Sequence, residues 1–224
     1  MRILGIETST RRGSVALFDG DQVILALEHE KPNAHAEQVF PLVARLFAES
    51  GISKTSLDRV AVGTGPGSFT GLRVGIALGE GIALGVGVPL VGVCSLEALA
   101  RAPDGERARI ALLDAGRGEL FVAAYAADGA ELVAPCALTP NDARERLVSN
   151  EALRAALVVG EGAQRLGGDF ELATGAGCEL PHARVVAALG AERDVASSPP
   201  DPIYVRGVGA TLPDLPPSPL PKEP

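Results

Sequence analysis

Along the first thirty residues, short apolar runs alternate with turn-forming pairs. Ile3 to Glu7 reads as a strand, Thr8-Ser9-Thr10-Arg11-Arg12-Gly13 as a turn, and Ser14 to Phe18 as a second strand. Asp19-Gly20 is a hairpin signal, and Val23 to Leu27 is a third strand. The same order returns from Arg109. Arg109 to Asp114 is a strand ending in an acid, Ala115-Gly116-Arg117-Gly118 a turn, Leu120 to Ala126 a strand, Asp128-Gly129 a hairpin signal, and Glu131 to Ala134 the start of a third strand. Glu7 thus falls opposite Asp114, and Asp19 nearly opposite Asp128. Each copy continues into a helix: His35 to Ser50 in the first, and Pro140 to about Ser149 in the second, where Thr139 offers an N-cap and Pro140 takes the first helical position. An apolar strand running into glycines follows each helix, Val60-Ala61-Val62-Gly63-Thr64-Gly65 and Leu157-Val158-Val159-Gly160-Glu161-Gly162.

The stretch from Gly63 to Gly75 links a strand to a helix, with Thr70 placed to cap it. It is not a Walker A loop, because no Lys-Ser or Lys-Thr follows at the required spacing. Anion binding at the helix N-terminus stays open. Two helices point to association. On His35 to Ser50 the apolar residues span an arc of about 160°, wider than the roughly 100° that one core contact requires. The helix from Thr70 to about Val86 is apolar almost all round, and Gly71, Gly75 and Gly79 at i+4 intervals flatten one face for close approach of another backbone. The alternative is that both helices pack on each other and on the sheet within one subunit.

Composition narrows the field. With 224 residues, 46% hydrophobic, there is enough apolar side chain for a substantial core. Twenty basic against 28 acidic residues give −8, the wrong sign for an autonomous nucleic-acid binder, and an aromatic share of 4% leaves little for base stacking. Cys94, Cys136 and Cys178 have no close spacing, which fits neither a disulfide framework nor a zinc knuckle. The apolar run Val74 to Val93 carries Glu80 near its middle, which argues against a membrane span. Nine of the 17 prolines lie from Ser197 onward, so a Pro-rich tail, unfolded after Arg206, is expected. The predicted division is a first lobe over 1–103, a second over 104–206 and the tail over 207–224.

Two β-β-β-α-β-α lobes in tandem resemble the actin, hexokinase and Hsp70 superfamily, with a second lobe truncated here. After Gly162 only a strand-like Phe170-Glu171-Leu172 is expected, with no long helix in view. Gly65-Pro66-Gly67-Ser68-Phe69-Thr70-Gly71-Leu72-Arg73 is close to the signature of the bacterial TsaB family, also called YeaZ. The resemblance extends to Gly5-Ile6-Glu7-Thr8-Ser9, His35-Ala36-Glu37-Gln38, Cys94-Ser95-Leu96-Glu97-Ala98-Leu99, Leu113-Asp114-Ala115 and Pro202-Ile203-Tyr204-Val205-Arg206. It implies a role in making threonylcarbamoyladenosine beside the tRNA anticodon. In that role the protein is the non-catalytic dimerisation and scaffold partner of a TsaD-type transferase, alongside a TsaE-type ATPase. It also implies a homodimer in isolation, indirect contact with tRNA, no membrane and a cytoplasmic location. The interface candidates on the two helices are Val39, Leu42, Val43, Leu46, Leu72, Gly75, Ile76 and Gly79.

The catalytic relative carries a His-x-x-x-His metal pair after the corresponding strand. Here Ser95 and Leu99 take those positions, so no metal is expected. Glu7, Thr8, Ser9 and Asp114 are the candidates for holding nucleotide in an inter-lobe cleft. The short second lobe makes no cofactor the expectation for the protein alone, with ATP or ADP only within the complex. The rivals are an ATP-dependent kinase or ATPase on the same lobes and a glycoprotease-like peptidase. For the latter, Ser68 lacks a Gly-x-Ser-x-Gly context. Cys94 reads as a small buried hydrophobe rather than a reactive thiol.

Overall fold

The computed structural model describes residues 1–205 except 32, 33, 104, 168, 169, 174 and 176, so Arg206 and the Pro-rich tail at 207–224 lie outside the described residues. The duplicated grammar is realised strand for strand. β1 (Arg2–Glu7), β2 (Gly13–Asp19), β3 (Gln22–His29), β4 (Arg59–Gly63) and β5 (Leu90–Val93) form one sheet, ordered β3-β2-β1-β4-β5. β6 (Arg109–Gly116), β7 (Glu119–Tyr125), β8 (Glu131–Leu138), β9 (Leu157–Val159) and β10 (Glu171–Leu172) repeat that order in a second sheet, β8-β7-β6-β9-β10. In both copies the first hairpin is antiparallel and the first and fourth strands run parallel. Glu7 pairs with Ser14, and Asp114 with Leu120, so each acid stands at the mouth of its hairpin.

Helices cover the sheets in layers. α1 (His35–Ser50) and α2 (Phe69–Val86) lie on the outer face of the first sheet, over a core of Leu4, Ile6, Val15, Leu17, Val60 and Val62. α4 (Pro140–Val148) and α5 (Ala163–Leu166) cover the outer face of the second. Between the sheets run α3 (Ser95–Ala100) and α6 (Ala183–Glu192).

Three expectations change. A ten-residue helix, α6, does follow Gly162, and it returns to the first sheet, packing Val186, Ala187 and Leu189 on Ile3, Ala61 and Val91. Chain order and packing therefore part company. α3, on the N-terminal side of the division expected between 103 and 104, sends Leu96 and Leu99 into the core on the second sheet. The shortening of the second lobe falls on α5, four residues against the 18 of its counterpart α2. Finally, α2 is capped by Ser68 rather than Thr70: the Ser68 hydroxyl accepts from Gly71 N at 3.2 Å, satisfying one of the free N–H groups of the first turn. At α4 the reading stands, with Thr139 accepting from Asp142 N and Pro140 opening the helix.

Candidate functional site

At the end of β1 the Glu7 carboxylate is fully buried. One oxygen accepts from Ser9 N at 2.6 Å, and the other from the Ser95 hydroxyl at 2.8 Å. Ser95 in turn accepts from Gly65 N at 3.0 Å. Burial pushes the Glu7 carboxyl above the usual range, while the hydrogen bonds from Ser9, Ser95 and the backbone pull the other way. Ser95 is thereby committed to tying β1, the loop after β4 and the start of α3 together, and Leu99 is buried in the core between α3 and the second sheet. Among the described residues no group of three His, Cys, Asp or Glu is placed to hold a metal ion.

Glu7 and Thr8 take no part in the cleft. Thr8 is buried and donates its hydroxyl to Gly71 O at 2.7 Å, fastening β1 to the first turn of α2. Ser9 and Asp114, by contrast, line one cavity of about 790 Å³ between the two first hairpins. Asp114 is already engaged, since its Oδ1 accepts from Gly116 N and from Arg165, both at 2.8 Å. An Arg11–Glu161 ion pair clasps the lobes across the opening.

The near-C-terminal segment also lines this cleft, through Ile203, Tyr204 and Val205. Ile203 N donates to Thr64 O at 2.8 Å, and Gly92 N donates to Ser198 O at 2.9 Å, strapping the segment along the ends of β4 and β5. Tyr204 packs on Phe69 with centroids 5.6 Å apart, and the Arg73 guanidinium lies 3.8 Å over the Phe69 ring. The position of this strap was not legible from pattern. Its signal is that two of only eight aromatic residues meet at the start of α2. Ser68, the peptidase candidate, spends its hydroxyl on the helix cap. Cys94 is partly buried beside Tyr125, which donates to its sulfur, and burial pushes its thiol up.

The eight residues expected at an interface are covered inside the chain. Val39, Leu42, Val43, Leu46 and Ile76 belong to the core beneath α1 and α2, and Leu72, Gly75 and Gly79 are buried too. The flat glycine face of α2 meets this chain's own first sheet. A Cβ at Gly75 would overlap the Thr8 hydroxyl, and one at Gly79 would overlap Val62. The error lies in assigning the inward side of two-sided helices to a partner. Their outward side carries Phe40, 65% exposed, Leu84, 86% exposed, and Phe69, 52% exposed, with Ala44, Ala48, Ala77 and Gly81 also exposed. α2 is also long and apolar enough by length and composition to cross a membrane, but its inner stripe is packed on the sheet.

A family profile described as "TsaD: tRNA N6-adenosine threonylcarbamoyltransferase" matches residues 29–160. The chain belongs to this family. Its TsaB (YeaZ) branch is marked by the relatives. The Escherichia coli "tRNA threonylcarbamoyladenosine biosynthesis protein TsaB" is 37% identical over 131 residues, covering 57% of this chain and 56% of that protein. The match thus spans about half the length of that curated relative. The solved structure of YeaZ from Pseudomonas aeruginosa superposes with a TM-score of 0.76 at 25% identity, covering 91% of this chain and 99% of that one. An activator of 2-hydroxyisocaproyl-CoA dehydratase from Clostridium difficile shares the fold alone, with a TM-score of 0.54 at 9% identity over 86% of this chain and 95% of that one. The TsaB-family chain thus has the two-lobed actin/hexokinase/Hsp70-like α/β fold.

Proposed function

We propose that this TsaB-family protein is a non-catalytic subunit of the machinery that makes tRNA threonylcarbamoyladenosine, where it binds and supports a TsaD-type transferase. The observation that carries the reading is the outer face of α1 and α2. Their inner faces already complete the core, yet Phe40, Ala77 and Leu84 stand in solvent on these two packed helices, and we read that exposed apolar side as an association surface. The same face serves a homodimer when the transferase is absent, so the two assemblies compete.

The chemistry of the site supports an inactive subunit. Where the resemblance places metal histidines, Ser95 holds Glu7 and Leu99 fills the core, and Asp114 in the cleft is neutralised by Arg165. The protein needs no cofactor of its own, and ATP or ADP enters only in the assembled complex with the transferase and a TsaE-type ATPase. A charge of −8 leaves most tRNA phosphate contacts to the partners, and the complex works in the cytoplasm, away from membranes.

The test is association with the TsaD-type protein of the same source, followed by sedimentation. Wild type forms the heterodimer, and Leu84→Asp weakens it while keeping the fold. Burying one leucine is worth about 1.5–3 kcal/mol, so the expected loss is about 10- to 150-fold in Kd. A kinase or ATPase reading, favoured by the size of the cleft, is tested in parallel by calorimetry of the isolated protein with ATP and Mg²⁺. Micromolar binding with turnover would replace the subunit reading.

A further inference from the structure

The last residue of β3 and the first of α1 meet through their side chains. His29 Nε2 lies 3.3 Å from His35 Nδ1, with ring centroids 5.1 Å apart, and His35 Nε2 lies 2.7 Å from Thr10 O in the turn between β1 and β2. A carbonyl only accepts, so the His35 proton sits on Nε2, and its bare Nδ1 accepts from His29 Nε2. His29 Nδ1, bare in turn, accepts from Lys31 N at 3.3 Å. All four ring nitrogens of the neutral pair are thus engaged. The neighbouring backbone leaves room for the rings: a Cβ at Gly13 would overlap both His29 Nε2 and His35 Nδ1, and one at Gly71 would stand 3.2 Å from His35 Cδ2.

α1 has no side-chain cap, because Ala34 stands at the N-cap, and the buried His35 ring ties its first turn to the rest of the fold. A proton finds no free place on either ring. On His35 Nδ1 it would face the N–H of His29, and on His29 Nδ1 the N–H of Lys31, so a hydrogen bond is lost either way. The charge would also stand at the N-terminus of a helix, the end that disfavours cations. The surrounding charges are committed elsewhere. Glu28 lies 3.5 Å from Arg12 and 3.1 Å from His182, and Glu30 lies 3.2 Å from Arg12. Glu37 in the first turn of α1 and Lys31 are exposed, Arg73 on α2 lies over Phe69, and the Arg184 guanidinium on α6 reaches Gly177. Burial, and then the neighbouring His35, hold His29 below its ordinary value of 6.5. A released ring takes up its proton near pH 6.5 and the engaged one only at lower pH, so the contact is complete above 6.5 and is lost as pH falls through that window.

We propose that His29 and His35 form a proton-sensitive latch: neutral, the pair fastens the start of α1 to the end of β3 and to the turn of the first hairpin, and protonated it lets the first turn of α1 go. Its consequence for association rests on the function proposed above, since α1 carries half of the outer face read as the association surface. Acid then weakens partner binding through that half.

The test is histidine-ring NMR and amide hydrogen exchange on the full chain at about pH 7.5 and about pH 5.5. At the higher pH both rings should be in the Nε2–H form. The amides of Glu37 and Gln38, which donate to Ala34 O at 3.1 and 2.9 Å, report the first turn of α1. Their protection factors, corrected for the intrinsic pH dependence of exchange, should fall at least about threefold at the lower pH, against a limit of about tenfold per pH unit for one proton. A glutamine at position 29 offers both a donor and an acceptor to His35 Nδ1, so His29→Gln should keep equal protection at both pH values. His182→Asn, at the third histidine of the chain, should leave the wild-type fall in place. An Nδ1–H form on either ring at the higher pH, no fall in wild type, or the same fall in His29→Gln overturns the latch. Sedimentation with the TsaD-type protein at the two pH values should show a larger acid weakening for wild type than for His29→Gln. Equal weakening overturns the link to association, whereas absence of a heterodimer at both pH values overturns the subunit reading and leaves the latch to be decided by the exchange data.

Discussion

Two glycines six residues apart on α2, Gly75 and Gly81, should respond to the same substitution with opposite signs. At Gly75 a Cβ would overlap the Thr8 hydroxyl, which donates to Gly71 O at 2.7 Å in a buried site. Accommodating the methyl rotates Thr8 away and breaks that bond, leaving a buried hydroxyl and carbonyl unpaired at about 1–3 kcal/mol. Better helix propensity returns about 1 kcal/mol. Overpacking against Thr8 adds about 1–3 kcal/mol, so Gly75→Ala should destabilise by about 1–5 kcal/mol net. At Gly81 nothing lies within 4 Å of the added Cβ, so only the propensity gain of about 1 kcal/mol remains. Urea denaturation at fixed pH measures both, with m-values checked for constancy. In melting temperature, each kcal/mol corresponds to about 2–4 °C for a chain of this size. Equal stabilisation by both substitutions would refute the placement of α2 on the sheet and return the glycine face to a partner.

Further outcomes follow from buried ionisable groups. The folded carboxyl of Glu7 is raised above its unfolded value, so the native state loses stability as pH rises from about 4.5 towards that raised value. Glu7→Gln removes this penalty, and its stability relative to wild type should climb with pH over that range, by at most about 1.4 kcal/mol per pH unit. A difference independent of pH from 4 to 8 would show that Glu7 does not titrate as a buried group. His182, pushed down to about 4 chiefly by burial, accepts from Arg184 N at the head of α6 and faces Glu28 at 3.1 Å. Its unfolded form takes up a proton near pH 6.5 while the folded form does not, so stability falls as pH drops from 6.5 to about 4. His182→Asn keeps an acceptor at the helix start and should flatten that acid limb in urea titrations; an unchanged limb would assign it to other groups. Val39→Asp places a charge in the core under α1 and should unfold the protein by circular dichroism, whereas Phe40→Asp next to it should leave the melting temperature within about 2 °C.

The repeat was legible because strand alternation, the two acids and the two Asp-Gly hairpins are local signals, and the paired sheet orders follow from them. α6 was not. Its small residues, Ala183, Ala187, Ala188 and Gly190, give no strong stripe on their own and acquire their meaning from the close approach of the first sheet. The cap of α2 was misplaced by two residues because Ser68 and Thr70 are both good caps, and the choice between them is made by the turn after β4. At the candidate site, the sequence reading singled out Ser95 and Leu99 but not the Glu7–Ser95 bond, which joins residues 88 apart. Helical periodicity identified α1 and α2 as two-sided and could not say which side faces inward, since Val39 and Phe40 are equally apolar and differ only in what the sheet covers.

The central claim, that the outer face of α1 and α2 is the surface that engages a TsaD-type transferase, is tested most directly by reconstituted tRNA threonylcarbamoylation with the transferase, the ATPase and the activated-threonine supply held fixed. Adding wild-type protein should restore modification. Leu84→Asp should require at least about tenfold more protein for the same rate at an unchanged melting temperature, and Gly81→Ala should match wild type. Full modification without this subunit, or Leu84→Asp acting at wild-type concentration, would contradict it.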